Sequence, residues 1–284
     1  MEEFTVDFRI NRQFNGLVAA NFSIEGTGAA VLFVGLVLSS RSIFITGLAL
    51  VMAGVLALFL DLASPARSWR SILRPGKSWI SRGALCIGGL VLSSMLLLII
   101  PDVTRSIWGG LLATLSAAAA VMTMLYTGLL VSSMRAIPSW NTRRVPMLFF
   151  LHSSTSAGLV LLSLLSMERS GILPVFMFPV TVLMVATAVL TLNHAFKMGK
   201  CSGAGRESAR MLLQGKQRVL FLAGALGCGF VMPLILIWVA YTASGPVSMA
   251  SPVVVLLGLA SRMAGDFSFR LALLRTGVYE PVIP

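Results

Sequence analysis

Residues 43–62 read IFITGLALVMAGVLALFLDL, and this stretch decides which kind of fold the chain can adopt. Its only charged side chain is Asp61, close to the far end. An α-helix needs about 20 mostly apolar residues to cross the hydrocarbon core of a bilayer. The stretch therefore predicts a membrane-spanning helix.

Similar stretches fill the rest of the chain on both sides. The mean hydropathy is +0.91. Only 11% of the residues are charged, whereas a soluble surface needs about a quarter or more. We predict a single all-α transmembrane domain over residues 1–284, a polytopic bundle of eight transmembrane helices. The predicted spans are residues 16–39, 43–62, 80–100, 108–134, 147–166, 172–193, 218–242 and 248–275.

The basic residues favour alternate gaps between these spans. Seventeen lie in the N-terminus, the second, fourth and sixth gaps and the C-terminus, which we call the cation-rich end; Arg41, Arg105 and Arg169 lie at the opposite end. The positive-inside rule predicts that both termini are cytoplasmic, in the cell inner (cytoplasmic) membrane. Anionic lipid headgroups beside these loops explain most of the net charge of +12, so we expect membrane lipid and no nucleic acid as partners.

Polar residues inside the spans indicate possible sites, because an intramembrane charge costs a few kcal/mol. Asn21, Glu25 and Gly28 follow i, i+4, i+7 and share one face of the first span. Glu25 is either a packing group hydrogen-bonded to Asn21 or a carboxyl that handles protons or lines a quinone pocket. Tyr126, in the fourth span, is either a residue of the interfacial aromatic belt or a hydrogen-bond donor to a quinone carbonyl.

The last span carries three charged residues, Arg262, Asp266 and Arg270, at i, i+4 and i+8. Asp266 can pair with either arginine along one face of the helix. A structural ladder of ion pairs and a proton route both remain open.

The histidines and cysteines do not form a metal-binding pattern. The three cysteines have no CxxC spacing, and the two histidines lie in different spans or span ends: Cys86, Cys201, Cys228, His152 and His194. We therefore expect no metal site and no haem.

The second gap is the densest feature of the sequence. It reads DLASPARSW over residues 61–69 and RPGKSWISRGA over residues 74–84. Pro65 and Pro75-Gly76 enforce turns. Tryptophans and cations at a membrane surface commonly serve as anchors, but the order of these residues is recognisable.

This order resembles the NrfD family, which includes the polysulfide reductase membrane subunit and the DMSO reductase anchor. The pieces are D/H-L-x-S-P-x-R from Asp61 and G-x-S-x-x-S from Gly76. Further pieces are YTG at residues 126–128, PSWN at 138–141 and PMLFF at 146–150. The resemblance covers the first 160 residues by motif and the remainder by topology.

The resemblance implies a quinone-reactive membrane anchor without haem or any catalytic cofactor of its own. Such anchors hold a ferredoxin-like iron–sulfur subunit, which connects to a molybdopterin catalytic subunit; iron–sulfur clusters and molybdopterin lie only in these partners. The family's pocket for quinone, either menaquinone or ubiquinone, maps onto Asn21, Glu25, Asp61 and Tyr126. This chain departs from the DMSO reductase anchor at Asp61, where that anchor has histidine, and at Arg82-Gly83, where it has a carboxylate nearby. The group that exchanges the quinone proton is therefore open.

Two further sets of residues complete the expected site. Proton transfer is expected to involve Glu25, Arg262, Asp266 and Arg270. The second loop, from Pro65 to Arg82, is expected to dock the iron–sulfur subunit, since tryptophan and arginine are enriched in interface hot spots. The docking residues expected are Arg67, Trp69, Arg70, Arg74, Trp79 and Arg82.

The distribution of cations predicts an orientation that differs from the one the resemblance implies. In the DMSO reductase anchor, the face with this loop looks outward, toward a periplasmic catalytic subunit. Here that face is cation-rich, which predicts an inverted bundle with a cytoplasmic partner; alternatively, the cations dock an acidic partner and other features set the topology. A proton-coupled transporter and a purely structural anchor without a quinone site are the competing functions.

Overall fold

The computed structural model describes residues 9–11, 14–61, 75–76, 78–100, 106–168, 173–200, 202–244 and 252–280. These residues form helices and one isolated antiparallel bridge between Ile10 and Val278. Eight helices are long and apolar enough to cross a membrane, which confirms the predicted all-α bundle. The elements are α1 (Gly16–Val37), α2 (Arg41–Asp61), α3 (Trp79–Ile99), α4 (Ile107–Ser132), α5 (Arg144–Met167), α6 (Leu173–Met198), α7 (Gly203–Leu213), a π-helix (Leu220–Val231), α8 (Met232–Ser244) and α9 (Pro252–Arg275).

Two helices, α1 and α5, form the centre of the bundle. Most of their residues are buried, and α1 packs against α2, α4, α5 and α9. The outer helices instead expose large apolar side chains such as Phe178 on α6 and Trp238 on α8, which suits contact with lipid. The polar side chains of α1, α5 and α9 therefore face one another inside the bundle.

Close packing of α1 on α2 depends on glycine. A Cβ atom added at Gly28, Gly35 or Gly47 would overlap the backbone of the facing helix. Small residues allow helix backbones to approach closely within membranes, where apolar side chains gain little by leaving lipid. The α1–α2 hairpin is thereby held as one unit.

The seventh span is not a uniform α-helix, in contrast to the sequence prediction. Its first half is the π-helix, and its second half is α8. The wider turn leaves backbone carbonyls available to α9: Ser261 Oγ donates to the Cys228 carbonyl at 2.8 Å, and Arg262 Nη1 donates to the Gly229 carbonyl at 2.9 Å. π-Helical turns are often found at functional sites.

We expect Gly265→Ala to destabilise the protein by about 1–3 kcal/mol, the usual cost of overpacking. A Cβ atom at Gly265 would overlap the backbone of Gly229 in the π-helix, which cannot move aside without breaking the bond to Arg262. The measurement is thermal unfolding in detergent. The matched control is Gly88→Ala, because a Cβ atom at Gly88 would meet nothing within 4 Å. Equal unfolding temperatures for the two variants would contradict this account of the π-helix contact.

Both described ends of the chain meet at one end of the bundle. Asn11 N donates to the Gly277 carbonyl at 2.8 Å, and Glu280 N donates to the Ala136 carbonyl at 2.9 Å. Ser202 Oγ also donates to Glu280 Oε2 at 2.6 Å, just before α7. Helix α7 lies within residues 194–217, which the sequence analysis treated as a connection. The described residues of the N-terminal segment, the C-terminal segment and two of the basic gaps are therefore joined by hydrogen bonds at this end.

Candidate functional site

The first group of buried polar residues lies between α1 and α2. Asn21 Nδ2 donates to Glu25 Oε2 at 3.0 Å and to the Gly54 carbonyl at 2.8 Å. Gly54 allows this contact, since a Cβ atom there would lie 2.7 Å from Glu25 Cβ. Asn21 Oδ1 and Glu25 Oε1 are buried, and neither has a hydrogen-bond partner in the described part of the chain. Two free acceptor atoms therefore remain inside the bundle.

Tyr126 belongs to the same region and is buried rather than part of a lipid-facing belt. Its side chain is 7% exposed, and its ring packs directly on the backbone of α3 at Gly83. Helix α4, which carries Tyr126, packs against α1. The structure thus places Tyr126 on a helix that contacts the helix carrying Asn21 and Glu25. The Asp61 side chain lies outside the described residues.

The second group is a fully buried charge cluster centred on Asp266 in α9. Asp266 accepts from Arg270 Nε at 3.1 Å and from the Ser23 hydroxyl of α1. Its other oxygen lies 3.1 Å from His152 Nδ1 of α5. Arg270 Nη2 donates to Ser153 Oγ at 3.0 Å. One carboxylate therefore joins α1, α5 and α9.

Arg262 does not pair with Asp266, although the spacing along α9 allowed this. Its guanidinium donates instead to Ser156 Oγ at 3.1 Å, to the His152 carbonyl at 3.0 Å and to the Gly229 carbonyl. Its Nη2 also lies 3.1 Å from His152 Nδ1. Of the ion pairs that the spacing along α9 allowed, the structure forms one, Asp266–Arg270. The second arginine binds α5 and the π-helix instead.

The sequence pattern did not lead to the prediction that His152 belongs to this cluster. Nδ1 can donate to Asp266 or accept from Arg262, depending on its proton. Nε2 lies 3.0 Å from Thr191 Oγ1, which is also 2.8 Å from the Thr187 carbonyl. Because the single Thr191 hydrogen can point either way, the imidazole has partners both with and without a second proton. The run HSSTS at residues 152–156, polar inside an apolar span, was the available signal.

Aromatic rings enclose the charge cluster. The Arg262 guanidinium lies 4.6 Å from the centroid of Phe230, and that of Arg270 lies 4.6 Å from the centroid of Phe149. Phe269 stacks on His152 with the ring centroids 4.0 Å apart. Cation–π contacts of this kind are strongest where water is excluded. Aromatic rings and hydrogen bonds together therefore fix the positions of the two guanidinium groups.

The two groups lie at one depth and adjoin each other. Glu25, Asp266 and His152 are each about 12–14 Å from the helix end at the cation-rich end, taking 1.5 Å per residue. Gly26 directly follows Glu25, and a Cβ atom there would lie 3.5 Å from Arg270 Nη2. The buried Nη1 of Arg270 has no hydrogen-bond partner in the described region. A buried polar layer thus extends from Glu25 past Asp266 and His152 to Thr191.

Four of the expected docking residues, Arg67, Trp69, Arg70 and Arg74, lie outside the described residues. The other two hold the end of the loop together. Arg82 donates from Nε to the Pro75 carbonyl at 2.8 Å and from Nη2 to the Gly76 carbonyl at 3.0 Å. Its guanidinium lies 4.7 Å from the centroid of Trp79. Arg82 thus fastens the Pro75–Gly76 turn to α3.

The described residues form eight membrane-length helices with a buried polar layer between them, which defines a multi-pass membrane protein. The chain belongs to the DMSO reductase anchor subunit family: the model of the family described as "DMSO reductase anchor subunit (DmsC)" matches residues 37–270. The match confirms the resemblance read from the motifs and extends it to Arg262, Asp266 and Arg270. Asn21 and Glu25 precede the matched range. No curated protein matches the chain significantly. Membership of the family shows that the protein is a membrane anchor of the type found in DMSO reductase complexes.

Proposed function

We propose that this anchor exchanges electrons between membrane quinone or quinol and a ferredoxin-like iron–sulfur subunit, which connects to a molybdopterin catalytic subunit. Family membership supports the anchoring role. The observation that carries the quinone site is the buried group of Asn21, Glu25 and Tyr126, with two acceptor atoms that lack partners in the described structure. A quinone needs an apolar slot, hydrogen-bond partners at its carbonyls and a proton acceptor or donor.

Each residue of the proposed site has a distinct task. The Tyr126 hydroxyl donates a hydrogen bond to a quinone carbonyl. Glu25, oriented by Asn21, takes a proton from quinol or returns one to quinone. Asp61, at the membrane boundary, passes protons to water at the cation-rich end. Quinol oxidation releases two electrons to the iron–sulfur subunit and two protons through these carboxyls; quinone reduction runs the same steps backwards.

The charge cluster next to Glu25 extends the proposed proton path. Arg270 and Asp266 lie beyond Glu25, and His152 can hold a proton on either nitrogen with partners for both states. Arg262 orients His152 from the far side. These groups are proposed to accept and return the charge that appears when Glu25 changes its protonation state.

We expect Asp61→Asn and Tyr126→Phe to depress quinone-linked turnover at least tenfold each, with the complex still assembled. Each change removes one proton-exchanging or hydrogen-bonding group and keeps the shape of the side chain. The measurement is steady-state turnover with a soluble quinol analogue in purified complex. Tyr279→Phe, in the C-terminal segment after α9, is the matched control, because Tyr279 is not one of the proposed site residues. Wild-type quinone kinetics in both site variants would move the site elsewhere.

We propose that the complex lies in the inner membrane with both termini and the iron–sulfur subunit on the cytoplasmic side. The excess of basic residues at the end where the described termini meet supports this orientation. The second loop, Pro65 to Arg82, is the proposed dock. Because this loop follows Asp61 in the sequence, a cluster bound to it would lie near the proposed quinone site, as electron transfer requires.

Reversing the charge of Arg70 and Arg74 together is expected to release the iron–sulfur subunit from membranes, more readily at high salt, because exposed ion pairs are screened. The measurement is the fraction of partner retained on washed membranes across a salt series. The double reversal Arg206→Glu/Arg210→Glu on α7, at the same end, is the control for general charge. Full retention at every salt concentration in the first variant would exclude this loop as the main dock.

A proton-coupled transporter is the second candidate, and the buried charges of α9 favour it. Co-purification separates the two functions. Iron–sulfur and molybdopterin subunits that travel with the chain support the anchor function. Substrate uptake by the chain alone in proteoliposomes would support the transporter.

A further inference from the structure

A large crevice opens at the end of the bundle opposite the two termini. Its volume is about 610 Å³, within the range of about 300–1,000 Å³ usual for ligand sites. It lies between the α1–α2 hairpin and the α3–α4 hairpin, where α1 packs against α4 but α2 and α3 make little contact. It is therefore separate from the polar layer around Glu25 and Asp266.

The inner walls of this crevice are apolar. They include Leu36, Phe44, Leu97 and Ala113. Gly110 widens it, since a Cβ atom at this position would meet nothing within 4 Å. The walls suit a hydrocarbon chain.

The polar groups of the crevice are grouped at its outer edge. Ser39, Ser40 and Arg41 line it there, where α1 ends and α2 begins. The Arg41 guanidinium is exposed and makes no hydrogen bond or ion pair within the part of the chain that the structure describes. Glu168, a described acidic residue that contacts this end of α2, accepts from Ser42 at 3.2 Å and does not line the crevice. Within the residues that the structure describes, a cation without a counter-ion thus stands at the mouth of an apolar slot.

We propose that this crevice binds an anionic phospholipid, with its phosphate on Arg41 and the two serine hydroxyls and an acyl chain along the apolar walls. A guanidinium binds phosphate with two parallel hydrogen bonds, and this geometry distinguishes arginine from lysine. A neutral quinone headgroup would gain little from the cation. A zwitterionic headgroup brings its own ammonium against Arg41. The proposal is independent of the quinone site.

The experiment titrates the purified protein in detergent with phosphatidylglycerol and counts bound lipid by native mass spectrometry. We expect Arg41→Gln to weaken binding about tenfold, Arg41→Lys to weaken it less, and Gly110→Leu to weaken it by filling the slot. Arg275→Gln, an exposed arginine at the cation-rich end, is the matched control and should bind like wild type. Unfolding temperatures measured without added lipid check that each variant is folded.

Several outcomes would overturn the proposal. Equal binding of phosphatidylcholine and phosphatidylglycerol would mean an unselective apolar slot. Unchanged binding in Arg41→Gln would move the headgroup elsewhere. Competition by inorganic phosphate alone would reduce the site to an anion site, and displacement by a quinone analogue would make quinone the occupant. These binding measurements do not depend on quinone turnover. A failure of the proposed lipid site can therefore be distinguished from a failure of the proposed quinone site.

Discussion

Asp266→Asn is expected to destabilise the protein by about 3–5 kcal/mol, the usual cost of breaking a buried ion pair. The variant leaves Arg270 buried with no ionised carboxylate in contact, and it weakens the bond from His152. A charge cannot move to water from this position, because all these side chains are fully buried. The measurements are thermal unfolding and the yield of monodisperse protein in detergent.

The control for this variant is Glu168→Gln, which removes a carboxylate that is exposed and accepts one hydrogen bond from Ser42. It should leave the unfolding temperature nearly unchanged. The double variant Asp266→Asn/Arg270→Gln should recover part of the loss, because it removes the unpaired cation together with its partner. If Asp266→Asn alone unfolded like wild type, Asp266 would not be the centre of the cluster.

Glu25→Gln is expected to lower quinone-linked turnover about a hundredfold or more, the usual scale for loss of a group that transfers protons. The amide keeps the size of the carboxyl and can still accept from Asn21 Nδ2, so packing against Gly54 should persist. The measurement is single-turnover oxidation of quinol in the purified complex, at several pH values.

The same preparation separates chemistry from structure. The iron–sulfur partner should be retained in Glu25→Gln, and its unfolding temperature should stay close to that of wild type. Asn21→Ala should lower turnover less, because it frees the Glu25 carboxyl without removing it. If Glu25→Gln retained full turnover at every pH, Glu25 would be a packing group, and the pair with Asn21 would be structural.

The main departures from the sequence prediction lie at the polar residues. The spacing of Arg262, Asp266 and Arg270 correctly placed them on one face of α9, but it did not separate the two arginines. The Arg262 guanidinium contacts His152, which lies 110 residues earlier in the chain, and donates to a backbone carbonyl of the π-helix. Ser23, which binds Asp266, is 243 residues away. Nothing in the local pattern around these residues predicts such partners.

The sequence by itself determined the number of spans, the all-α class, the uneven distribution of basic residues and the family. These features depend on local quantities: the length of apolar stretches, the charges between them and the order of residues in one loop. The meeting of both termini at one end also follows, since an even number of spans returns the chain to its starting side.

Only the tertiary structure decided which polar groups share a site. The period of a helix determines which residues share a face, but not which neighbour that face meets. Between helices in a membrane, apolar surface gains little by association, so close glycine contacts and buried hydrogen bonds set the rotation of each helix. Gly265 against Gly229 and Gly26 against Arg270 and Ser153 are such contacts. They bring α1, α5, α9 and the π-helix together around Asp266.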